Sequence, residues 1–552
     1  MRPVRAVILL TLICLPVMFW NLTDLGLFNT QEAIRVNVAR EMQRAGEWLV
    51  PVRRGEPYIA KPPMVYWSQI ALAKLRGGEV GEFELRLNAA LWGWFGVLAT
   101  YFAARSMLRA DPPDCGVRGP RSEVGVPVNH DQLSASGALW SAVAMAVGVL
   151  PSLSARVGEL DVMLIAPVAA AVACMHASWR HFLAHGRAHW GCVVLATFAA
   201  VIAGFIKGPS GLVTILLGGS ASTLVYTLVT RRAPTIVGRP VSRGWWWFKQ
   251  LESTHPVLVI GLPAVLLWLW LRHARERIGA ERFAGLVNFE ATDNLRWFDF
   301  EGMARYAEAL SYALGAFTIA AFAGLWLAWK RRRTASTGTI AALCWLVLGV
   351  AAFAVTTKGV GRYLTPVWPA MAMLAGVACA AWISGARYRM RAVSVLAVTA
   401  AVQGGALTWW HAVGRTEMWA ERSPRELMRE LLTRPDLGGL GSLNFNYDAF
   451  DFYAGRVVET WGTSRFATPL GVLVERVRAI KPGEHAYTLL VLEENEKNRR
   501  EFGSAAALLR GAGLAGDEVP VRSIYRRPPG DARVLVWRLR PDRYTADSQT
   551  PR

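Results

Sequence analysis

Charge is scarce in this 552-residue chain, with 18% of residues charged against 53% apolar. That balance excludes an ordinary soluble protein of this length. Cysteine is scarce as well. Cys14, Cys174, Cys192, Cys344 and Cys379 lie in apolar runs, where a thiol packs as a small hydrophobe, Cys115 sits in a polar loop, and none follows residue 411. A disulfide framework for the C-terminal part is therefore excluded, and no Cys/His spacing resembles a zinc site. That part also lacks a glycine-rich phosphate loop and a nucleophile elbow, which argues against cofactor chemistry there. The formal net charge of +20 does not call for nucleic acid, because the basic residues cluster between apolar runs and not on one soluble face.

What the chain does have is membrane-crossing sequence. Apolar runs at about 6–22, 88–108, 137–155, 161–179, 189–206, 208–230, 256–271, 306–328, 338–356, 363–384 and 391–411 are each long enough to cross or nearly cross a bilayer. The first follows Arg2 and Arg5 but has no small-x-small cleavage site after residues 16–20, so it reads as a retained helix with a cytoplasmic N-terminus. Alternating from there puts Arg109, Arg118 and Arg121, then Arg180 and Arg187, Arg231 and Arg232, Lys330 to Arg333, and Arg387 to Arg391 on the cytoplasmic side. The same alternation places 23–87, 156–160, the turn at Lys207, 272–305, 357–362 and everything after 411 outside.

The outer segments carry the polar residues that look functional. Residues 31–45 place Ile34, Val38 and Met42 on one helical face, as expected of a helix lying along a membrane surface, with Asn29 and Glu32 in a capping-box arrangement. Arg53 and Arg54 follow, then Lys61-Pro62-Pro63. Arg156, Glu159 and Asp161 bring ionisable groups to the start of a span, a costly position that favours a partner or a water-filled cavity. Lys207, Lys358 and Arg362 each neighbour glycine, which allows backbone and cation to approach an anion closely, and cations at one depth suit a phosphate or diphosphate headgroup. Residues 272–305 alternate charges with aromatics, as a lid or a surface helix. From 412 to 540 helix-like and strand-like stretches alternate as in a soluble α/β domain, and 541–552 read as a disordered tail.

Taken in chain order, Gln31-Glu32-Ala33 with Ala39 to Met42, Gly55 to Tyr58 leading to Lys61-Pro62-Pro63 and Tyr66-Trp67, Leu160-Asp161, Lys207-Gly208, and Arg362-Tyr363-Leu364 with Pro366 and Pro369 resemble one family. It is that of the membrane-embedded glycosyltransferases of the C superfamily, which includes protein O-mannosyltransferases and the bacterial transferases that add aminoarabinose to lipid A. The resemblance covers about 1–410. It implies an α-helical polytopic fold of about 11 transmembrane helices (1–411, with the outer loop 23–87) in a bacterial inner membrane, followed by a periplasmic α/β domain. It also implies a polyprenyl-phosphate sugar donor and a periplasmic acceptor, lipid A or another envelope glycolipid, with protein O-glycosylation as the nearest alternative. The implied catalytic positions are Gln31, Glu32 and Asp161, with Gln31 standing where the family usually has Asp. Lys61, Lys207, Lys358, Arg362, Tyr363, Arg54 and Arg156 are the implied donor-phosphate residues. It makes no cofactor certain, and a divalent cation beside an acceptor phosphate stays open. A non-catalytic lipid binder or a lipid or polysaccharide transporter is the rival reading, against which stand the absence of an internal repeat and the gathering of polar motifs at the outer boundary.

Overall fold

The computed structural model describes residues 2–28, 30–109, 130–230, 235–237, 239–294, 297, 299–357, 359–414, 420–435, 437–443, 447–461, 468–479, 487–492, 504–527 and 532–541. These residues form two compact units. One comprises Met1–Leu22, Met42–Val52 and Glu56–His411, and the other Thr23–Glu41, Arg53–Gly55 and Ala412–Arg552. The second unit thus takes in two pieces of the outer loop beside the residues from 412 onward.

In the first unit every expected apolar run is helical. Eight helices among the described residues are long and apolar enough to cross a membrane, and two more runs are bent pairs. Ser134–Ala146 meets Val149–Arg156 at 50°, where Gly148 takes an extended conformation and Pro151 follows. Phe300–Tyr312 meets Phe317–Lys330 at 105°, around Gly315 at φ +60°, so the run expected at 306–328 is no straight span. Pro3–Phe19 is a shorter apolar helix. The two tight turns expected at 156–160 and 207 are true chain reversals or breaks, each with a left-handed glycine, Gly158 at φ +61° and Gly208 at φ +66°.

Burial sorts these helices. Leu160–His185 and Gly361–Gly385 are the most enclosed, with 72% of their apolar windows buried, whereas Pro256–Ile278 and Arg389–Gly414 show 28% and 22%. The latter two turn Val257, Val265 and Trp268, and Val395, Val398 and Val402, outward, as helices facing lipid should. Small residues bring the inner helices together. A Cβ on Gly324 would meet the Leu374 carbonyl oxygen at 1.9 Å, and one on Gly376 would meet that of Gly137 at 2.2 Å.

The second unit is an α/β fold. Strand Leu440–Leu443 lies between Glu459–Trp461 and Thr488–Leu492, parallel to both, and Ala532–Pro541 runs antiparallel to Thr488–Leu492 and to Leu514–Glu518. Trp461, Leu473, Val477, Leu489, Val491 and Leu539 form its core. Helices Arg425–Leu432 and Leu470–Ala479 accompany the strands. The short strand Arg526–Arg527 pairs with Ala532–Pro541 as well. The tail after 541 lies outside the described residues.

Ion pairs tie the outer-loop pieces into this unit. Arg53 donates to Asp448 through Nε at 2.8 Å and Nη2 at 2.6 Å, and Arg54 donates to Asp451 through Nε at 2.6 Å and Nη2 at 3.0 Å. Asn37 donates to the Asp448 carbonyl at 2.6 Å, Arg40 stacks 4.1 Å over Phe452, and the Tyr453 hydroxyl accepts from the Leu27 N–H at 2.7 Å. The expectation of an in-plane surface helix at 31–45 is corrected accordingly. Residues 32–39 of Thr30–Ala45 are buried on all sides, Arg35 and Asn37 included, because Asp448–Ala454 supplies polar partners and aromatic rings to the face that would have met water.

Burial pushes the Asp451 carboxyl up to about 6 from 3.8, with the Arg54 guanidinium and the Val458 N–H pulling the other way. Because the folded state holds this proton more tightly than the unfolded state, the contribution of Asp451 to stability is fullest below about pH 4 and is lost as pH rises through about 6. Thermal unfolding of the full chain, followed by proteolysis of the C-terminal residues, should show this downward slope between pH 4 and 6.5. Asp451→Asn should flatten it; an unchanged slope in the variant would assign the titration elsewhere.

Candidate functional site

The site is built at one end of an antiparallel helix pair. Leu160–Leu164 is a 3-10 turn that opens the Leu160–His185 span, entered through the left-handed Gly158 and an extended Glu159. This entry places Asp161 in the first turn, where the helix dipole favours an anion. Trp190–Lys207 ends at the left-handed Gly208, and Pro209 starts the next helix. Lys207 is therefore in a last turn, where the dipole favours a cation. The third part is Gly361–Val367, a 3-10 turn before Trp368–Gly385, which packs on Leu160–Leu164 and carries Arg362 and Tyr363.

These three ends meet. Lys207 Nζ donates to Asp161 Oδ1, with Asp161 buried and Lys207 half-buried. Arg362 Nε lies 3.8 Å from Asp161 Oδ2, and Arg362 Nη1 lies 3.5 Å from Glu159 Oε1. Lys207 Nζ sits 4.2 Å over the Tyr363 ring. Lys61, whose Nζ donates to the Ala60 carbonyl at 2.8 Å, is close enough to repel Lys207, as is Arg362. Three cations thus surround two carboxylates at one end of the bundle, an excess of positive charge held in place by fixed anions. Such a cluster can accept an anionic group without rearranging, which is the condition for strong electrostatic stabilisation.

The turn that carries Arg362 is held from outside. Tyr306 and Thr357 share a hydroxyl hydrogen bond of 2.6 Å, and Arg305 Nε donates to the Gly359 carbonyl at 2.8 Å. Gly302 and Gly359 touch backbone to backbone, since a Cβ on Gly302 would lie 2.6 Å from Gly359 N. Tyr306 is also within electrostatic reach of Asp161. Sequence reasoning missed Tyr306 and Arg305. A tyrosine on an amphipathic helix is an ordinary sight, and its partner is 51 residues away. Tyr306→Phe should lower turnover about fivefold, the effect of losing one hydrogen bond of roughly 1 kcal/mol, with thermal stability little changed.

The remaining expected residues are elsewhere. Arg156 is buried and donates from Nη2 to the Asn21 carbonyl at 3.2 Å, tying its helix to the end of the first apolar helix. Arg54 is engaged by Asp451, so binding phosphate would require breaking that pair. Glu32 is fully buried in the second unit, near enough to Tyr447 to help raise the phenol above its ordinary value after burial itself, and Gln31 is half-buried on the same helix. Asn29 and Lys358 lie outside the described residues, as do Arg296 and Phe298 of the 272–305 segment. Among the described residues no group of three His, Cys, Asp or Glu side chains could hold a metal ion. With Asp161 and Glu159 both engaged by cations, this cluster does not suit a divalent ion.

No family model matches the chain. A 97-residue stretch is 37% identical to an uncharacterized protein of Aquifex aeolicus (strain VF5), spanning 17% of this chain and 19% of that protein. Solved structures establish the architecture: the chain has the fold of the C-type membrane glycosyltransferases. It is similar to ArnT from Cupriavidus metallidurans, both bound to undecaprenyl phosphate and in the apo state, with a TM-score of 0.65 and 19% and 18% identity over 96% of this chain and 97% of that one. It is also similar to the archaeal oligosaccharyltransferase AglB from Archaeoglobus fulgidus, in complex with an inhibitory peptide and a dolichol-phosphate, with a TM-score of 0.50 and 11% identity over 100% of this chain and 75% of that one.

Proposed function

We propose that this protein is an integral membrane glycosyltransferase that moves a sugar from a polyprenyl-phosphate donor to an acceptor outside the cytoplasmic membrane, lipid A or another envelope glycolipid. The observation that supports it best is the union of Lys61, Lys207, Arg362 and Tyr363 around Asp161 and Glu159 at one end of a membrane bundle. The ArnT structure with undecaprenyl phosphate and the AglB structure with dolichol-phosphate lend the ligand class. The N-terminus is cytoplasmic in this reading, and the cluster and residues 412–540 are periplasmic.

The chemistry follows from charge. An acceptor oxygen attacks the anomeric carbon and the bond from that carbon to the phosphate oxygen breaks, leaving a polyprenyl phosphate with one more negative charge. Lys61, Lys207 and Arg362 stabilise that charge as it develops, and Asp161 holds two of them in register. A carboxylate takes the acceptor proton, Glu32 or Asp161. Gln31 is a carboxamide and takes no proton. The apolar chain of the donor requires a lipid-facing enzyme.

Purified protein in lipid, given a labelled polyprenyl-phosphate sugar and lipid A, should yield labelled lipid A. Donor consumption with no product across lipid, glycan and protein acceptors would exclude transfer, and binding without consumption would favour a lipid binder. Glu32→Gln should reduce turnover strongly; full activity would remove Glu32 from the reaction.

A further inference from the structure

The end of the first unit away from Asp161 carries a group of cations that the transfer reaction does not use. Trp368–Gly385 takes the chain about 27 Å from the Arg362 turn at the helical rise. There Lys330 ends Phe317–Lys330 with Arg331 and Arg332 behind it, and Arg387, Arg389 and Arg391 stand around the start of Arg389–Trp409. No Asp or Glu lies between Glu308 and Glu417, and among the described residues none of these cations has a carboxylate partner. Aromatic faces hold four of them instead. Lys330 Nζ is 4.6 Å from the centre of the Trp326 ring, the Arg332 guanidinium is 4.6 Å from that of Trp329, and Arg391 and Arg387 lie 4.5 and 5.6 Å from that of Tyr388. Stacking fixes such a cation and leaves its N–H groups for an anion.

Both groups reach one depth. Gln403 accepts from the Ala316 N–H at 2.8 Å and donates to the Leu314 carbonyl at 2.9 Å, which pins the start of Phe317–Lys330 to Arg389–Trp409. From that pin Lys330 is 14 residues away and Arg391 is 12, about 21 and 18 Å of helical rise. Trp368–Gly385 packs on both helices. Each helix also turns an apolar stripe outward that leads up to its cations, Ile319, Phe322, Trp326 and Trp329 on one and Val402, Val398 and Val395 on the other.

We propose that these two loops and stripes bind a dianionic phospholipid, one with two phosphates and paired acyl chains, in the leaflet opposite the Asp161 cluster. One phosphate meets Lys330 and Arg332, the other meets Arg387 and Arg391, and the acyl chains lie along the stripes. Charge selects an anion, because no acidic neighbour neutralises the cations. The stripes select a lipid over a soluble acidic partner, because they run on from the cations into the depth of the bilayer. Lys249 marks the contrast. Its Nζ stands 5.5 Å from the centre of the Trp245 ring, but Glu252 pairs with it and leaves no charge to offer. The lipid site is independent of the donor reading, and a protein with no transferase activity would still hold the lipid.

The test is native mass spectrometry of the full-length protein in detergent, titrated with cardiolipin or with phosphatidylglycerol. Cardiolipin should bind at least about fivefold more tightly than phosphatidylglycerol, the gain from one further cation–phosphate contact. Lys330→Gln with Arg391→Gln should weaken cardiolipin binding about twentyfold, roughly one fivefold step for each cation removed, while Lys249→Gln binds as the wild type does. Lys330 and Arg391 are both exposed, so the double variant keeps its fold, and an unchanged thermal transition checks this. Equal affinity for the two lipids would overturn the two-phosphate site. Cardiolipin binding unchanged in the double variant, or weakened as much in Lys249→Gln, would overturn its place at these loops.

Discussion

Replacing Asp161 by Asn is expected to cut sugar transfer by about 10²–10³-fold, the loss of about 2.7–4 kcal/mol of transition-state stabilisation typical of removing one preorganised electrostatic element. The reasoning runs through its partners. Asp161 accepts from Lys207, and its second oxygen stands 3.8 Å from Arg362 Nε. Asparagine keeps the shape but removes the charge that offsets Lys207, Lys61 and Arg362. With only Glu159 left, the cations repel one another and no longer converge on the leaving phosphate. The loss should fall mainly on kcat, because the misplacement matters most when phosphate charge is developing. Donor turnover in purified variant, with expression and monodispersity as controls, checks it. Full turnover would remove Asp161 from the reaction.

The second large effect concerns the other unit. Arg53→Ala should destabilise it by about 3 kcal/mol, near the lower end for breaking one side of a buried pair. Asp448 has only 2% of its side chain exposed and receives two hydrogen bonds from Arg53. Truncation leaves that carboxylate buried without its cation, while the part-exposed arginine keeps the effect from reaching the top of the range. Thermal unfolding of the full chain, read by proteolysis within 412–541, should show the loss. Arg53→Ala with Asp448→Ala should recover part of it, since the double variant leaves no unpaired charge. An additive double variant would mean the pair contributes nothing as a pair.

The same residues show what the sequence could and could not reveal. The spans were legible because a bilayer demands long apolar helices, and nothing else in the chain resembles them. The bends were less so. Gly315 turns a run of adequate hydropathy through 105°, and apolar length carries no information about direction. Lys207, Asp161 and Arg362 were legible as charges that lipid would not tolerate, and the structure brings those three together. Arg54 reads as a phosphate ligand, whereas in the structure Arg53 and Arg54 pair with Asp448 and Asp451, 395 and 397 residues away. No local pattern announces a partner at that separation. Glu32 reads as a capping-box residue of a surface helix, whereas its burial near Tyr447 follows from contacts that only the folded second unit provides.

Gln31 is the position where resemblance and chemistry diverge most. A carboxamide there donates and accepts hydrogen bonds but moves no proton. The cluster around Asp161 does not depend on position 31, because its partners come from three helix ends of the first unit.

Whether that cluster binds a lipid phosphate is decided most directly by measuring undecaprenyl phosphate affinity in nanodiscs for the wild type, Arg362→Ala and Lys207→Met. A phosphate site built from these cations predicts at least a tenfold weaker Kd in each variant, about 1.4 kcal/mol or more, with phosphate-free polyprenol binding unchanged. Equal affinity for undecaprenyl phosphate across all three proteins would contradict it.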